Sequence, residues 1–267
     1  MIGIIDSGVG GLSVYLPLRS RLESADFLYL ADSAFAPYGT KSAREITERM
    51  ERITEWFQSE GVRLLVIACN TATVNAIDEL RRTFRDGATS EVFGSEAEGL
   101  LRSEGGAIEF IGVEPAIKPA AEHCDRIIVL ATESTVQNER YHALVQREAG
   151  EKKVWHEGAN DLVAQVEAGR LQDTLSLERH LSLPSREADA VVIGCTHFSF
   201  LRPTIEQRWP DLQIFDGADG VVRRTVERAR ALSLDRGEGR SLFCTTGPDR
   251  TVSFIHPPIH LRHIDLK

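Results

Sequence analysis

Two cysteines stand directly after short apolar runs and are followed by hydrogen-bonding residues. Cys69 follows the run 64–68, and Cys195 follows the run 190–194. After Cys69 the apolar residues recur with helical spacing, which predicts that a helix begins at this thiol. The free N–H groups and the positive dipole end of a helix start favour an anion, so we expect a thiol that is shifted toward thiolate. Two thiols at equivalent strand ends predict one site that has a thiol on each of its two sides.

Two thiols suit the removal of a proton from the α-carbon of an amino acid and the return of a proton to the opposite face. The pKa of a free cysteine, about 8.5, needs only a modest shift to approach the working pH. We expect Asp6 to assist Cys69 and His197 to assist Cys195. The carboxylates of such a substrate need donors, for which the sequence offers helix-start N–H groups and four side chains: Ser7, Asn70, Thr71 and Thr196.

An internal repeat links the two cysteine turns. Cys195 lies 126 positions after Cys69, and Thr132 lies at the same offset from Asp6, where another apolar run ends. A fixed offset between strand ends is typical of two related halves. We therefore predict that the ends of equivalent strands face each other across one site.

Apolar runs alternate with helical patterns along the chain, which predicts parallel sheets. The predicted fold class is α/β, with two pseudo-symmetric lobes, each a parallel sheet flanked by helices, and the active site in the cleft between them. We place one domain at 1–108 plus 211–267 and the other at 109–210. The connection 85–109 is expected to be irregular, with a short helix around 97–101.

Composition limits the class of protein. The 267 residues carry a formal net charge of −9, and no basic stripe is present, which argues against a nucleic-acid surface. Four cysteines without close pairing are typical of reduced thiols in the cytoplasm rather than a disulfide framework. No signal peptide and no membrane-spanning run is recognisable, so we expect a cytoplasmic protein without membrane contact.

The same residues are compatible with two other kinds of site. Gly8 and Gly10 follow a strand and Asp32 ends the next one, as in dinucleotide-binding folds, but Ser13 stands where the third glycine belongs. A zinc site is a second alternative, although its candidate ligands lack the close spacing of such sites. Those ligands are Cys69, Cys195, His197 and Asp6.

A single cysteine at an apolar strand end is usually a small buried hydrophobe. Two of them at symmetric turns make a chemical role the better interpretation. Cys124 and Cys244 have no such setting, and we expect both to be structural. Three histidines near the end of the chain are expected to lie in a surface tail: His256, His260 and His263.

Several motifs in order resemble those of the glutamate racemase family, within the aspartate/glutamate racemases. They are Asp6-Ser7-Gly8-Val9-Gly10-Gly11-Leu12, Pro37-Tyr38-Gly39, Ala68-Cys69-Asn70-Thr71 and Gly194-Cys195-Thr196-His197. The resemblance implies a cofactor-independent enzyme that interconverts L- and D-glutamate and supplies D-glutamate for peptidoglycan. It also implies a two-domain α/β fold, a homodimer, and a last segment that returns to the first domain.

The resemblance also implies roles for individual residues. Cys69 would exchange the proton of the D-enantiomer and Cys195 that of the L-enantiomer, with Asp6, His197 and Glu167 as further catalytic groups. The substrate would be bound by Asp6, Ser7, Tyr38, Gly39, Asn70, Thr71, Thr135, Thr196 and His197.

The chain departs from the family pattern at three places near the site: Ala159-Asn160 replaces Cys-Pro, Ser134-Thr135 replaces Gly-Thr, and Phe198-Ser199 replaces Tyr-Pro. Other functions remain open at this stage. They are racemisation of aspartate, a one-thiol decarboxylase, a metal-dependent enzyme, and binding of DNA gyrase as some relatives do.

Overall fold

The structure, a computed structural model, describes residues 1–84, 107–182 and 187–266. Its strands are β1 (Ile2–Asp6), β2 (Phe27–Ala31), β3 (Leu64–Ile67), β4 (Glu109–Gly112), β5 (Arg126–Ala131), β6 (Lys153–Gly158), β7 (Ala190–Ile193), β8 (Gln213–Asp216), β9 (Ser241–Thr245), β10 (Arg250–Val252) and β11 (Ile259–His263). Its α-helices are α1 (Leu12–Arg21), α2 (Ala43–Ser59), α3 (Asn70–Phe84), α4 (Ile117–His123), α5 (Glu133–Val136), α6 (Glu139–Ala149), α7 (Asn160–Glu167), α8 (Leu175–Leu181), α9 (Arg202–Arg208) and α10 (Ala218–Ala231). Within the described residues, 3-10 segments cover Tyr38–Thr40 and Thr196–Leu201.

The strands form two sheets. The first has the order β10-β11-β9-β2-β1-β3-β4, and the second has the order β6-β5-β7-β8. We call each sheet with the helices packed on it a lobe, the seven-stranded sheet making the first lobe. The predicted α/β class with two lobes is confirmed. One detail is corrected, because β10 pairs with β11 antiparallel and the first sheet is therefore mixed. The loop between these two strands is too short for a parallel crossover.

The two lobes repeat one arrangement. The order β2-β1-β3-β4 in the first sheet matches β6-β5-β7-β8 in the second. β3 leads directly into Cys69, and β7 leads into Cys195. The repeat predicted from the 126-residue offset therefore places the two cysteines at equivalent strand ends.

The predicted domain boundaries do not match the sheets. β4 pairs with β3 and lies in the first lobe, although the boundary at 108/109 assigned it to the second domain. β8 pairs with β7 in the second lobe, although the boundary at 210/211 assigned it to the first domain. An apolar run reveals a strand, but its neighbours in the sheet depend on pairing between distant segments. The last segment does return to the first lobe, where α10 packs on α1.

Buried strands form the centre of each lobe. All five residues of β1 are buried, as expected for parallel strands that are covered on both faces. α2 begins with a capping box between Ser42 and Glu45 and packs on α3. The helix expected around 97–101 lies outside the described residues. No helix in the described ranges is long and apolar enough to cross a membrane.

Candidate active site

Three threonines join the two lobes at the carboxyl ends of their central strands. Thr71, in the first turn of α3, places its Oγ1 2.8 Å from Oγ1 of Thr132, which follows β5. Thr135 Oγ1 lies 2.9 Å from Thr132 and 3.4 Å from Thr71. All three side chains are buried. These hydroxyl contacts bring the strand ends of both lobes to one place, as the repeat predicts.

Cys69 occupies the turn between β3 and α3 and is 6% exposed. Its Sγ lies 3.9 Å from Oγ of Ser7, to which the thiol donates. Burial raises the pKa of the Cys69 thiol, and the carboxylate of Asp6 raises it further. The N–H group of Ala72, in the first turn of the helix, lowers the pKa by less. The predicted shift toward thiolate is therefore wrong for this arrangement, because desolvation exceeds the effect of the helix start.

Cys195 precedes the 3-10 segment Thr196–Leu201 rather than an α-helix. Its side chain is buried, and its Sγ lies 3.9 Å from Nδ1 of His197. The imidazole is thus next to the second thiol, as predicted. His197 is only two residues after Cys195, at the start of the 3-10 segment, so a neighbour in sequence is here also a neighbour in space.

His197 is part of a buried ion pair. Its Nε2 donates to Oε1 of Glu167 at 2.6 Å, and the backbone N–H of Val9 donates to the same oxygen at 2.8 Å. Burial lowers the pKa of His197, but the charge of Asp6 and hydrogen bonds to Cys195 and Glu167 raise it well above its usual value. These partners favour the protonated, cationic form of the imidazole.

Glu167 is the acceptor of this pair. Burial raises its pKa, yet the hydrogen bond and charge of His197, the N–H of Val9 and the charge of Arg250 lower it to about 2. Arg250 Nη1 lies 2.6 Å from Glu167 Oε2. Glu167, for which the family resemblance implies a catalytic role, lies one hydrogen bond away from the imidazole that faces Cys195.

Asp6 ends β1 and has no exposed surface. It accepts hydrogen bonds from the N–H of Gly8 at 2.9 Å and from the hydroxyl of Thr196 at 3.1 Å. Its Oδ2 lies 4.0 Å from His197 Nδ1, and burial raises its pKa. Its negative charge raises the pKa of the Cys69 thiol. It also raises the pKa of the His197 imidazole, which lies beside Cys195.

The loop that carries Tyr38 and Gly39 meets the second lobe. An added Cβ at Gly39 would stand 2.8 Å from Asn160 Oδ1 and 3.2 Å from Thr132 Cβ, so only glycine allows this approach. The Tyr38 hydroxyl donates to Oδ2 of Asp32 at 2.7 Å. This bond fixes the Tyr38 side chain against the first lobe.

Asn70 presents an unpaired acceptor. Its side chain is 3% exposed, and Oδ1 has no hydrogen-bond partner among the described residues. A buried amide oxygen without a donor is costly, which favours a ligand donor at this position.

The glycine-rich turn of the first lobe is filled by protein rather than open to a phosphate. An added Cβ at Gly8 would touch Glu167 Oε1 and lie 3.1 Å from His197 Nε2. Asp32, the proposed ribose acid, is held by Arg49 and by the hydroxyl of Thr246 at 2.7 Å. The turn is therefore not open to a phosphate, and Asp32 is already bound by protein groups. The structure does not support a dinucleotide site.

The remaining sequence candidates lie away from these contacts. Cys124 caps the C-terminus of α4 and Cys244 lies in β9. His260 and His263 belong to β11, His256 lies in the loop before it, and all three are exposed, as predicted for a surface segment. Within residues 1–84, 107–182 and 187–266, no three histidine, cysteine or acidic side chains are grouped as metal ligands.

Two residues in the site were not found by sequence analysis. Arg250 lies 83 positions from Glu167 in a segment whose only sequence signal is a strand pattern. Asn160 was noted as a departure from the family, and it contacts both Gly39 and the N–H of Glu133. Neither contact has a local sequence signal, because each joins segments that are distant in the chain.

We expect Arg49→Gln to lower the free energy of unfolding by about 3 kcal/mol, because it leaves a buried carboxylate unpaired. Arg49 binds Asp32 through Nε at 2.9 Å and Nη2 at 2.6 Å, and the Asp32 side chain is fully buried. Urea unfolding followed by circular dichroism measures the change. The control is Arg44→Gln on the same helix, where the pair with Glu48 is exposed and little change is expected. Equal effects of the two variants would contradict the prediction.

We expect stability to fall in acid partly through Glu167. A depressed folded pKa stabilises the fold above the unfolded value, 4.5, and this contribution is lost as the pH falls toward about 2. Glu167→Gln should reduce the loss of unfolding free energy between pH 5 and 2 by on the order of 1–2 kcal/mol, allowing for partial solvent screening. Denaturant unfolding at a series of pH values measures it. Glu187→Gln, at an exposed pair with Lys153, is the control and should leave the slope unchanged. An unchanged slope in Glu167→Gln would refute this assignment.

Known proteins are similar to this chain in sequence and in fold. Residues 112–225 match the family described as Asp/Glu/Hydantoin racemase. The glutamate racemase of Pseudomonas aeruginosa (strain UCBPP-PA14) is 38% identical over 265 residues, covering 96% of this chain and 92% of the relative. That of Herpetosiphon aurantiacus is 38% identical and covers 92% of both chains.

A solved structure of a glutamate racemase is also similar to this chain. The Escherichia coli glutamate racemase in complex with L-glutamate and the activator UDP-MurNAc-ala superposes with a TM-score of 0.73 and 30% identity. The match covers 92% of this chain and 88% of that chain. Full-length relatives at this level of identity show the family. The chain, an amino-acid racemase, therefore belongs to the glutamate racemase family.

Proposed function

We propose that this enzyme interconverts L- and D-glutamate without a cofactor, by removal of the α-proton from one face of the α-carbon and return of a proton to the opposite face. The observation that carries the proposal is the position of Cys69 and Cys195 at equivalent ends of β3 and β7. The two lobes that carry these cysteines meet through Thr71 and Thr132, whose Oγ1 atoms lie 2.8 Å apart. A substrate held there has one thiol from each lobe.

In the L-to-D direction, the Cys195 thiolate removes the α-proton, and the electron pair of the broken C–H bond is delocalised into the α-carboxylate. The Cys69 thiol then gives its proton to the opposite face. The raised pKa of Cys69 keeps it in the protonated form that this step requires. The His197 cation, 3.9 Å from Cys195 Sγ, stabilises the attacking thiolate. The reverse reaction starts with Cys69 as thiolate and Cys195 as thiol.

The substrate is bound, in this proposal, by polar groups around the two thiols. Asn70 Oδ1, buried and unpaired, accepts a hydrogen bond from the α-ammonium group. The hydroxyl and amide donors that face the carboxylates are Ser7, Thr71, Thr135 and Thr196, with the backbone at Gly39. Asp6 holds Thr196 and His197 in place through its two oxygens.

The biological role proposed here is supply of D-glutamate for peptidoglycan in the cytoplasm, by a homodimer. Support comes from the family, in which the enzyme from Escherichia coli was solved with an activator named UDP-MurNAc-ala. Growth of a D-glutamate auxotroph carrying this gene tests the role, and sedimentation of the purified enzyme tests the dimer. Failure to restore growth by an active enzyme would refute the role.

The activity itself is tested with purified enzyme, a chelator and no added cofactor. L- and D-glutamate are supplied separately and followed by circular dichroism, with aspartate in parallel. We expect both glutamate enantiomers to reach the same racemic end point. Faster turnover of aspartate would change the substrate assignment, and dependence on metal or cofactor would refute the mechanism.

A further inference from the structure

The hairpin β10–β11 of the first lobe reaches the second lobe beside the site. Arg250, the first residue of β10, ion-pairs with Glu167 Oε2 at 2.6 Å through Nη1. Its Nη2 donates to the backbone carbonyl oxygen of the same Glu167 at 3.1 Å. Phe254, in the hairpin loop, packs edge-to-face on Phe200 with ring centroids 5.3 Å apart. The hairpin therefore contacts two segments of the second lobe. One is the end of α7, which carries Glu167, and the other is the 3-10 segment that contains His197.

The two oxygens of Glu167 have different partners. Oε1 receives the N–H of Val9 and Nε2 of His197, while Oε2 receives only the guanidinium of Arg250 among the hydrogen bonds that the structure describes. A carboxylate bound on both oxygens has a defined plane, since rotation would break one side. Because Arg250 also binds the backbone of Glu167, it fixes the position of this residue as well as its rotation.

Arg140 provides a comparison for a purely adhesive role. Its side chain is 32% exposed, against 30% for Arg250, and it also joins the lobes. It pairs with Glu114 at 2.8 Å and with Asp78 of α3. These contacts involve none of the groups assigned to catalysis or substrate binding, whereas the Arg250 contacts end on the partner of His197.

We propose that Arg250 is a positioning residue of the racemase reaction. It holds Glu167 so that the His197 imidazole stays oriented toward Cys195, and the hairpin of one lobe thereby controls the acid–base group of the other. This inference rests on the proposed function for its kinetic consequence, while its geometric content concerns the Glu167–His197 hydrogen bond alone.

A double-mutant cycle tests whether Arg250 acts through Glu167. We expect Arg250→Gln to lower kcat/KM for glutamate about tenfold. Arg250→Lys, which keeps the charge, should have a kcat/KM only about threefold below that of wild type. Arg140→Gln should stay within about twofold of wild type. In a Glu167→Gln background, Arg250→Gln should add less than about twofold. Full additivity, or an equal loss in Arg140→Gln, would overturn the proposal.

A spectroscopic measurement separates this inference from the proposed function. In ¹H–¹⁵N spectra of imidazole-labelled enzyme, the Nε2 proton of His197 is assigned by its loss in His197→Gln. We expect a downfield, slowly exchanging signal in wild type and Arg140→Gln, and its loss to rapid exchange with water in Arg250→Gln. Persistence of that signal in Arg250→Gln would refute the positioning role. An enzyme inactive on glutamate that still shows this pattern would refute the function and retain the inference.

Discussion

Cys69→Ser and Cys195→Ser are each expected to lower kcat/KM for glutamate racemisation by about 10³-fold or more. A serine hydroxyl is far less acidic than a thiol, so it neither removes the α-proton as an anion at neutral pH nor replaces the thiol of the other half-reaction. Removing one base of two blocks both directions, because each direction uses both groups. The expected loss is therefore the same from L- and from D-glutamate.

The measurement follows racemisation and deuterium incorporation at the α-carbon in D₂O, starting separately from each enantiomer. Cys244→Ser is the matched control, since Cys244 lies in β9 outside the site. It should stay within about twofold of wild type, because the half-buried Cys244 touches none of the groups assigned to catalysis. Retention of most activity in either Cys69→Ser or Cys195→Ser would contradict the two-thiol mechanism.

A one-base reaction distinguishes loss of a thiol from loss of the site. With 3-chloroglutamate, a thiolate takes the α-proton, the electron pair forms a carbon–carbon double bond, and chloride leaves. Cys69→Ser should still eliminate chloride from the L-configured analogue through Cys195, and Cys195→Ser from the D-configured one through Cys69. Loss of both eliminations in a variant would show a damaged site and not the absence of one base.

Gly10→Ala is expected to lower kcat/KM about 10²-fold and the free energy of unfolding by about 1–3 kcal/mol. An added Cβ would lie 2.7 Å from Cε1 of His197, closer still to Nδ1, and 2.8 Å from the His197 backbone nitrogen. The ring and its backbone must both move, which takes the imidazole away from Cys195. Steady-state kinetics and urea unfolding on one preparation measure the two effects.

Gly220→Ala is the matched control for this prediction. Gly220 lies on the exposed side of α10, and the nearest atom to an added Cβ, on Arg223, is 4.0 Å away. Alanine in a helix interior should raise the free energy of unfolding by about 0.5–1 kcal/mol without a change in kcat/KM. A loss of activity in Gly220→Ala would refute the assigned crowding at His197. Unchanged activity in Gly10→Ala would refute it as well.

Much of the fold is determined by local sequence patterns. Short apolar runs that alternate with amphipathic helices specify parallel strands, and the equal spacing of Asp6 to Thr132 and of Cys69 to Cys195 specifies the repeat. His197 is near Cys195 because they are two residues apart in a tight turn. These features depend on neighbours in the chain, so the sequence alone predicts them.

The tertiary structure decided the features that depend on distant partners. β4 and β8 belong to the lobes opposite to those predicted, because strand pairing joins segments that periodicity does not connect. Arg250 reaches Glu167 across 83 positions, and burial of Cys69 outweighs the helix start that its local sequence indicates. Desolvation and charge pairing depend on what surrounds a group in space, which the order of residues along the chain does not specify.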